Sequence, residues 1–441
     1  MTRLAKIHAT IGPASSDPNT LRRMVDAGMD GCRLNMSHCS HGQARELTAL
    51  VRRVSKELRR PIAIAADLRG PKLRIGDVAG GAVFLKDGAT VVLTSEDRIT
   101  EQGLISVNYP YLAEDVHPGD PVLLNDGAIA LRVETIKEKR VICSIEKGGE
   151  LTSRKGFNLP GIPLRVPSLT SKDLRDIALA VEIGVDFLYL SFARSRQHVQ
   201  DVRDALARLG SNLPLVAKIE RQEGADALAE IVAAADGICI ARGDLGIETP
   251  LGTVPEIQRE APRLCRAAGK FVMMGGQVLS SMVSRPTPLR AEVADIAAAV
   301  RDGHDGIILS DETAAGDYPV DAVRAAAQVI AHAEASVVQA ADLADCIPAA
   351  RVRGLGPVVV VSRDGRAVER LSTSRSASPI VAVVDRPNVA NWLSGWWGIV
   401  PVLLEDCSDP AAAARRAIDI VSASEPALAQ ANPIILVDIS T

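Results

Sequence analysis

Eight apolar runs of strand length, interleaved with segments of helix length, constrain this chain more than any other feature. Three come early, at Lys6 to Gly12, Asp30 to Asn35 and Pro61 to Asp67. Five follow after a gap, at 186–192, 215–220, 237–244, 271–277 and 306–312. A helix between two strands returns the chain to the same end of a sheet, so consecutive strands run parallel. Eight such strands are expected to close into a (β/α)8 barrel, an α/β fold whose functional side chains sit at the strands' C-terminal ends. A doubly wound sheet would alternate in the same way, but no G-x-G-x-x-G follows a strand here. Helices are expected at 17–27, with Asp17 as cap and Pro18 in the first turn, and at 42–58.

Between about 72 and 165 the helical period disappears. Short alternating runs (AVFLK, TVVLTS, LISVNY, PVLLND, AIALRVETI, RVICSIE) separated by Gly, Pro and Asp turns predict an inserted all-β domain, a small barrel. Past residue 345 a separate α/β unit is expected, with strands PVVVVS, PIVAVV, IVPVLL and PIILVDI and helices at 365–373, 387–396 and 409–423. A stretch rich in Ala, Arg and Gly at 340–355 reads as a linker. The expected domains are 1–71 with 166–342, then 72–165, then 343–441, within the two to four that 441 residues suggest. Net charge is −4 with both signs interspersed, which argues against nucleic acid as main partner and against a polybasic membrane patch. Seven cysteines (Cys32, Cys39, Cys143, Cys239, Cys265, Cys346 and Cys407) show no C-x-x-C pairing, and most lie in apolar runs as reduced core thiols would. The N-terminus lacks the apolar region of a signal peptide, and no apolar stretch reaches the roughly 18 residues of a spanning helix. A soluble, cytoplasmic protein is expected.

Chemistry concentrates in residues 215–248, LVAKIERQEGADALAEIVAAADGICIARGDLGIE. Lys218 and Glu220 close one apolar run, and side chains two apart on a strand share a face. Asp244 closes the next run, and an Ala-rich, helix-length segment makes the two runs neighbouring parallel strands. One ammonium and two carboxylates then converge. Two hard oxygen ligands suit Mg²⁺ or Mn²⁺, and the nearby Lys suits an anionic substrate. A buried salt bridge is the competing reading of K-x-E alone, and the A-R-G-D-L-G turn that follows argues for a site. Other polar residues fall at the same strand ends, among them Thr10, Arg33, Asn35, Asp67, Ser191, Gln277 and Glu312.

Taken in order, the motifs resemble those of the pyruvate kinase family along nearly the whole chain. The blocks include KIHATIGPAS, GCRLNMSH, DLRGPKLR, KGFNLPG, VAKIERQEG, DGICIARGDLGIE, QVLSSM and SDETAAGDYP. The all-β insertion also falls where that family carries its lid, after the third barrel strand. The resemblance implies phosphoryl transfer from phosphoenolpyruvate to ADP with Mg²⁺ or Mn²⁺, then protonation of the enolate to pyruvate, in glycolysis. It implies that Glu220 and Asp244 hold the divalent ion, that Lys218 neutralises the moving phosphoryl group and the enolate oxygen, and that Arg33 and Arg74 bind phosphate. The N–H groups of Gly243 and Asp244 would take the substrate carboxylate. Asn35, His38 and Arg33 would face nucleotide phosphates, with Lys155 and Asp126 approaching from the lid. For His38 an ordinary loop histidine is the competing reading. Ser310 and Glu312 would belong to a polar network near the protonation site. Phosphoenolpyruvate and ADP/ATP are the implied partners, and the family's usual assembly is a homotetramer.

Four departures qualify the resemblance. A monovalent-cation site of the family would match Asn35, Ser37, Asp67 and the carbonyl of Leu68. The acidic residue of potassium-requiring members is Lys72 here, and Leu68 and Ile75 replace two threonines, which resembles the potassium-independent branch. Lys72 would replace the ion, and K⁺ is not expected to be required. The family block A-T-Q-M-L-E-S-M reads Gly275 to Met282, so the threonine beside the substrate's methylene carbon becomes Gly276 and the glutamate becomes Ser280. Phosphoryl transfer is then expected to survive while protonation loses its usual hydroxyl, and Gly276 could instead make room for a bulkier substrate. Two alternatives follow: a weakened pyruvate kinase-like protein that binds phosphoenolpyruvate or nucleotide as a sensor, or an enzyme acting on another enol or 2-oxo acid. Ser362 to Arg366 carries Asp364 where effector-regulated members have a Ser/Thr-rich phosphate loop, and little chain follows the last strand, so activation by fructose bisphosphate is not expected. Trp392, Trp396 and Trp397 are expected to pack the C-terminal unit's core or a subunit interface.

Overall fold

The computed structural model describes residues 3–337, 358–375, 379–424 and 434–437. Eight parallel strands, Lys6–Thr10, Gly31–Asn35, Ala63–Asp67, Phe187–Leu190, Leu215–Ile219, Gly237–Ala241, Phe271–Gly275 and Gly306–Leu309, close into a barrel in chain order. Helices enter between them, the first with its expected cap. Asp17 accepts from the N–H groups of Asn19 and Thr20 at 3.0 Å, ahead of helix Pro18–Ala27. Ser40 and Gln43 form a reciprocal capping box for His41–Leu58.

Four expected elements are corrected, one of them the run 306–312, whose strand stops at Leu309 ahead of a helical turn at Asp311–Ala314. The run 237–244 leaves the sheet at Ala241, and Arg242–Glu248 is a short helix, so Asp244 stands in a first helical turn rather than on a strand. The run 271–277 stops at Gly275, because Gly276 and Gln277 take φ of +86° and +55°, which the extended ladder does not accommodate. The Ala-rich segment after Glu220 is two helices, Gln222–Asp226 and Leu228–Ala234.

Alternation along each strand sends every second side chain into the barrel. Near the floor, glycines leave room for rings: a Cβ on Gly31 would lie 2.7 Å from His8 Nε2, and one on Gly237 would lie 2.9 Å from Phe271 Cδ1. The insertion after the third strand forms a six-stranded sheet and a two-stranded ribbon, which share one apolar core drawn from Leu73 to Leu164.

The last unit is a parallel sheet in the order Ile399–Leu403, Ile380–Val384, Val358–Val361, Ile434–Val437. It packs against the barrel's N-terminal end. Trp392 meets Phe187 with centroids 5.3 Å apart, Trp396 meets Phe271 at 5.6 Å, and the Lys6 ammonium donates to the Ile399 carbonyl at 2.7 Å. Two of the three tryptophans therefore plug the barrel floor, and Trp397 stacks under the Arg375 guanidinium at 4.5 Å. The expected linker at 340–355, the boundary at 342–343, Cys346 and the last four residues lie outside the described residues. Among the described residues six cysteines are free, and no helix is long and apolar enough to cross a membrane.

Candidate active site

The C-terminal ends of the barrel strands deliver a dense charge network. Lys218, on the fifth strand, donates to Ser191 Oγ at 2.9 Å and to both Asp67 oxygens at 3.2 and 3.3 Å, and lies 3.0 Å from Glu220 Oε1. Arg33, on the second strand, donates Nε–H to Asp67 at 2.6 Å and NH1 to Thr10 Oγ1 at 3.0 Å. Burial works against the Lys218 charge, but Asp67 and Glu220 outweigh it and raise its pKa. Burial likewise opposes the Asp67 carboxylate, and Lys218 and Arg33 hold its pKa below the ordinary value. Glu220 is raised, first by burial and further by Asp244, although the Phe192 N–H donates to it at 2.7 Å.

Arg33, Asp67, Ser191, Lys218 and Glu220 line a cleft of about 110 Å³ with Asn35, Ser37, His38, Leu68, Arg69, Lys72, Arg74 and Asp244. Five cationic side chains (Arg33, Arg69, Lys72, Arg74, Lys218) thus face three carboxylates (Asp67, Glu220, Asp244). That excess suits a polyanion. Burial, with Arg74, holds His38 below the usual imidazole value. Arg74 donates to the Arg154 carbonyl at 2.8 Å, and the Asn35 side chain accepts from the Ser37 N–H at 3.1 Å. Lys72 shares the cleft with Asn35, Ser37 and Asp67, yet its ammonium sits 2.9 Å from Asp244. Lys155 and Asp126 are neighbours on the lid, where Asp126 packs over Gly156, and neither lines the cleft.

The seventh and eighth strands end differently. Glu312, 2% exposed, accepts from the Leu279 N–H at 2.8 Å and the Ser310 N–H at 2.6 Å. Both its oxygens therefore tie backbone together across the two loops. Gly276 opens no space for a bulkier substrate: a Cβ there would lie 2.5 Å from the Gly243 nitrogen. Arg242 holds this approach by donating to the Gly276 carbonyl at 3.1 Å, and is itself fixed by Asp295 at 2.6 Å. Sequence reading missed Arg242 as a brace because its partners lie on later elements. Ser191 was visible as a rim residue, but its bond to Lys218 depends on strand register.

Among the described residues no cluster of three or more His, Cys, Asp or Glu side chains could hold a metal ion alone. Glu220 and Asp244 offer a two-carboxylate donor set in one cleft, each already facing an ammonium, Lys218 and Lys72. Such a pair fits Mg²⁺ or Mn²⁺, which bind through one or two carboxylates and complete their shell with water and substrate oxygens.

Comparisons with known proteins bear on what this cleft does. Residues 2–323 match the family described as pyruvate kinase, barrel domain, and residues 344–438 match pyruvate kinase, alpha/beta domain. The chain is 37% identical to the pyruvate kinase of Mycobacterium intracellulare over 91% of its own length and 89% of that protein. It is 39% identical to the pyruvate kinase of Agrobacterium vitis, over 92% of this chain and 87% of that one. Against the pyruvate kinase of Staphylococcus aureus identity is 36%, over 91% of this chain and 72% of the relative.

Proposed function

This chain belongs to the pyruvate kinase family, and from that premise we propose that its barrel mouth transfers phosphoryl from phosphoenolpyruvate to ADP, with Mg²⁺ or Mn²⁺ and without K⁺. It is a phosphotransferase, and its family generally uses a divalent metal. The observation that carries the reading is the Lys218 ammonium, kept charged among Asp67, Ser191 and Glu220 beside Arg33 and Asp244. Phosphoryl transfer needs positioning and charge neutralisation more than covalent chemistry, and this cleft supplies both.

Lys218 and Arg33 neutralise charge on the moving group, and Arg74 adds to the phosphate pocket. Glu220 and Asp244 hold the divalent ion, which would polarise the enol oxygen. Gly243 and Asp244 N–H groups take the substrate carboxylate. Asn35 and His38 face the nucleotide, and Lys155 and Asp126 reach it when the lid approaches. The Lys72 charge, in the same cleft as Asn35, Ser37, Asp67 and Leu68, makes K⁺ dispensable. Ser310 and Glu312 shape the loop beside the enolate, so the proton comes through water or another hydroxyl rather than through position 276. The working protein is a cytoplasmic homotetramer.

Pyruvate formation from phosphoenolpyruvate and ADP with Mg²⁺, with and without K⁺, tests this reading. Equal rates are expected, and Lys218→Met should lose at least about 10³ in turnover, the scale of losing a key electrostatic group. Strict K⁺ dependence would remove the role given to Lys72. Near-normal Lys218→Met activity would remove the role given to Lys218.

A further inference from the structure

The lid joins the barrel through two tethers, and both grip one short helix. The outgoing tether carries Lys72, whose ammonium meets Asp244 at 2.9 Å. On the returning side, Asn158, in the lid's last strand Phe157–Asn158 just before the tether, donates its amide to Glu248 Oε1 at 2.6 Å. Asp244 and Glu248 lie one turn apart on helix Arg242–Glu248, hence on one face. A narrow crevice runs along this seam and shares Lys72, Phe192 and Asp244 with the first cleft.

The two grips differ in strength. Arg221 lies 3.0 Å from Glu248 Oε2 and donates to the carbonyls of Leu159 at 3.3 Å and Ile162 at 3.0 Å. Arg194 donates to the Val166 carbonyl at 2.6 Å, and the Leu164 N–H donates to Glu223 at 3.4 Å. The returning tether is thus held by side chains from the ends of the fourth and fifth strands as well as by the helix. Glu248 is 2% exposed, so losing either Asn158 or Arg221 would leave a buried carboxylate underpaired. The outgoing tether's grip is of another kind: Lys72 occupies a carboxylate that a divalent ion also needs.

Resting on the assignment of Glu220 and Asp244 to the divalent ion, we propose that Asn158 is a positioning residue for that site. Through Glu248 it sets the helix that carries Asp244, and so couples lid position to ion affinity. Lys72 must release Asp244 when an ion binds there, whereas the Asn158–Glu248 contact persists, which makes the returning tether the lid's pivot.

Mn²⁺ binding to the full chain without nucleotide or phosphoenolpyruvate, read from the electron paramagnetic resonance signal of free Mn²⁺, tests this. Asn158→Ala and Glu248→Gln should each weaken the dissociation constant by about tenfold, the usual scale for residues that orient a metal ligand. The pair Asn158→Asp with Glu248→Gln reverses donor and acceptor and should restore affinity; a pair no better than Glu248→Gln alone counts against the proposal. Hydrogen exchange over 155–166 should rise in Asn158→Ala with or without the ion. A folded Asn158→Ala protein with wild-type Mn²⁺ affinity overturns the positioning role. Asp244→Asn separates the two readings. If it binds Mn²⁺ normally, the ion site is misassigned; if it alone loses binding, only the role of Asn158 fails.

Discussion

Lys218 and Gly276 show how far a single position can be interpreted. Lys218 was placed by pattern alone, because a residue two before Glu220 on a strand must share its face. Its partners Asp67 and Ser191, 151 and 27 residues away, were not readable as partners. Gly276 reads in sequence as a missing hydroxyl, and replacing it with threonine looks like a repair. Its φ of +86° and the 2.5 Å approach of the Gly243 nitrogen to a Cβ predict the opposite. Gly276→Thr should cost about 1–3 kcal/mol, the scale of a residue forced into a strained backbone. Turnover should fall rather than rise, and urea denaturation beside a pyruvate assay checks both. A gain in turnover at unchanged stability would mean that the turn yields easily.

At the scale of elements, apolar runs located all eight barrel strands, and alternation located six strands of the insertion but not the short Gly149–Thr152 and Phe157–Asn158. Their ends were less legible. The sixth and seventh strands stop where backbone meets backbone from another loop: Gly276 against Gly243, braced by Arg242. No local pattern encodes that meeting. Glu312 plays a similar part between the last two strands, as a clamp on the N–H groups of Leu279 and Ser310. Glu312→Gln keeps the shape but offers one acceptor oxygen for two donors. It should cost about 1–3 kcal/mol, the price of one unsatisfied buried group, with faster amide exchange at Leu279 or Ser310. Unchanged exchange at both would assign the clamp no mechanical role.

For the whole molecule, the C-terminal unit closes the barrel floor, and His8 lies under it. Among the described residues neither ring nitrogen of His8 has a hydrogen-bond partner, and burial lowers its pKa to about 4, with Asp30 opposing. Between about pH 6.5 and 4 the unfolded chain therefore takes a proton that the folded chain refuses, so this stability is present above pH 6.5 and lost on acidification. Asp186, pushed up to about 6 by burial, works in the other direction, so a difference measurement is needed. Relative to His8→Leu, the wild type should lose about 2 kcal/mol between pH 7 and pH 5, read from urea midpoints. A difference independent of pH would mean that His8 takes up its proton equally in the folded and the unfolded chain. The sequence by itself determined the strand count, the parallel barrel, the inserted β domain and the carriers of charge, since period, apolar runs and motif order are local properties. Tertiary structure decided which charges pair, that Lys72 sits on Asp244, that Gly276 is filled by backbone, and that Trp392 and Trp396 plug the barrel. Those outcomes depend on distances between elements far apart in the chain, which packing sets and local pattern does not contain.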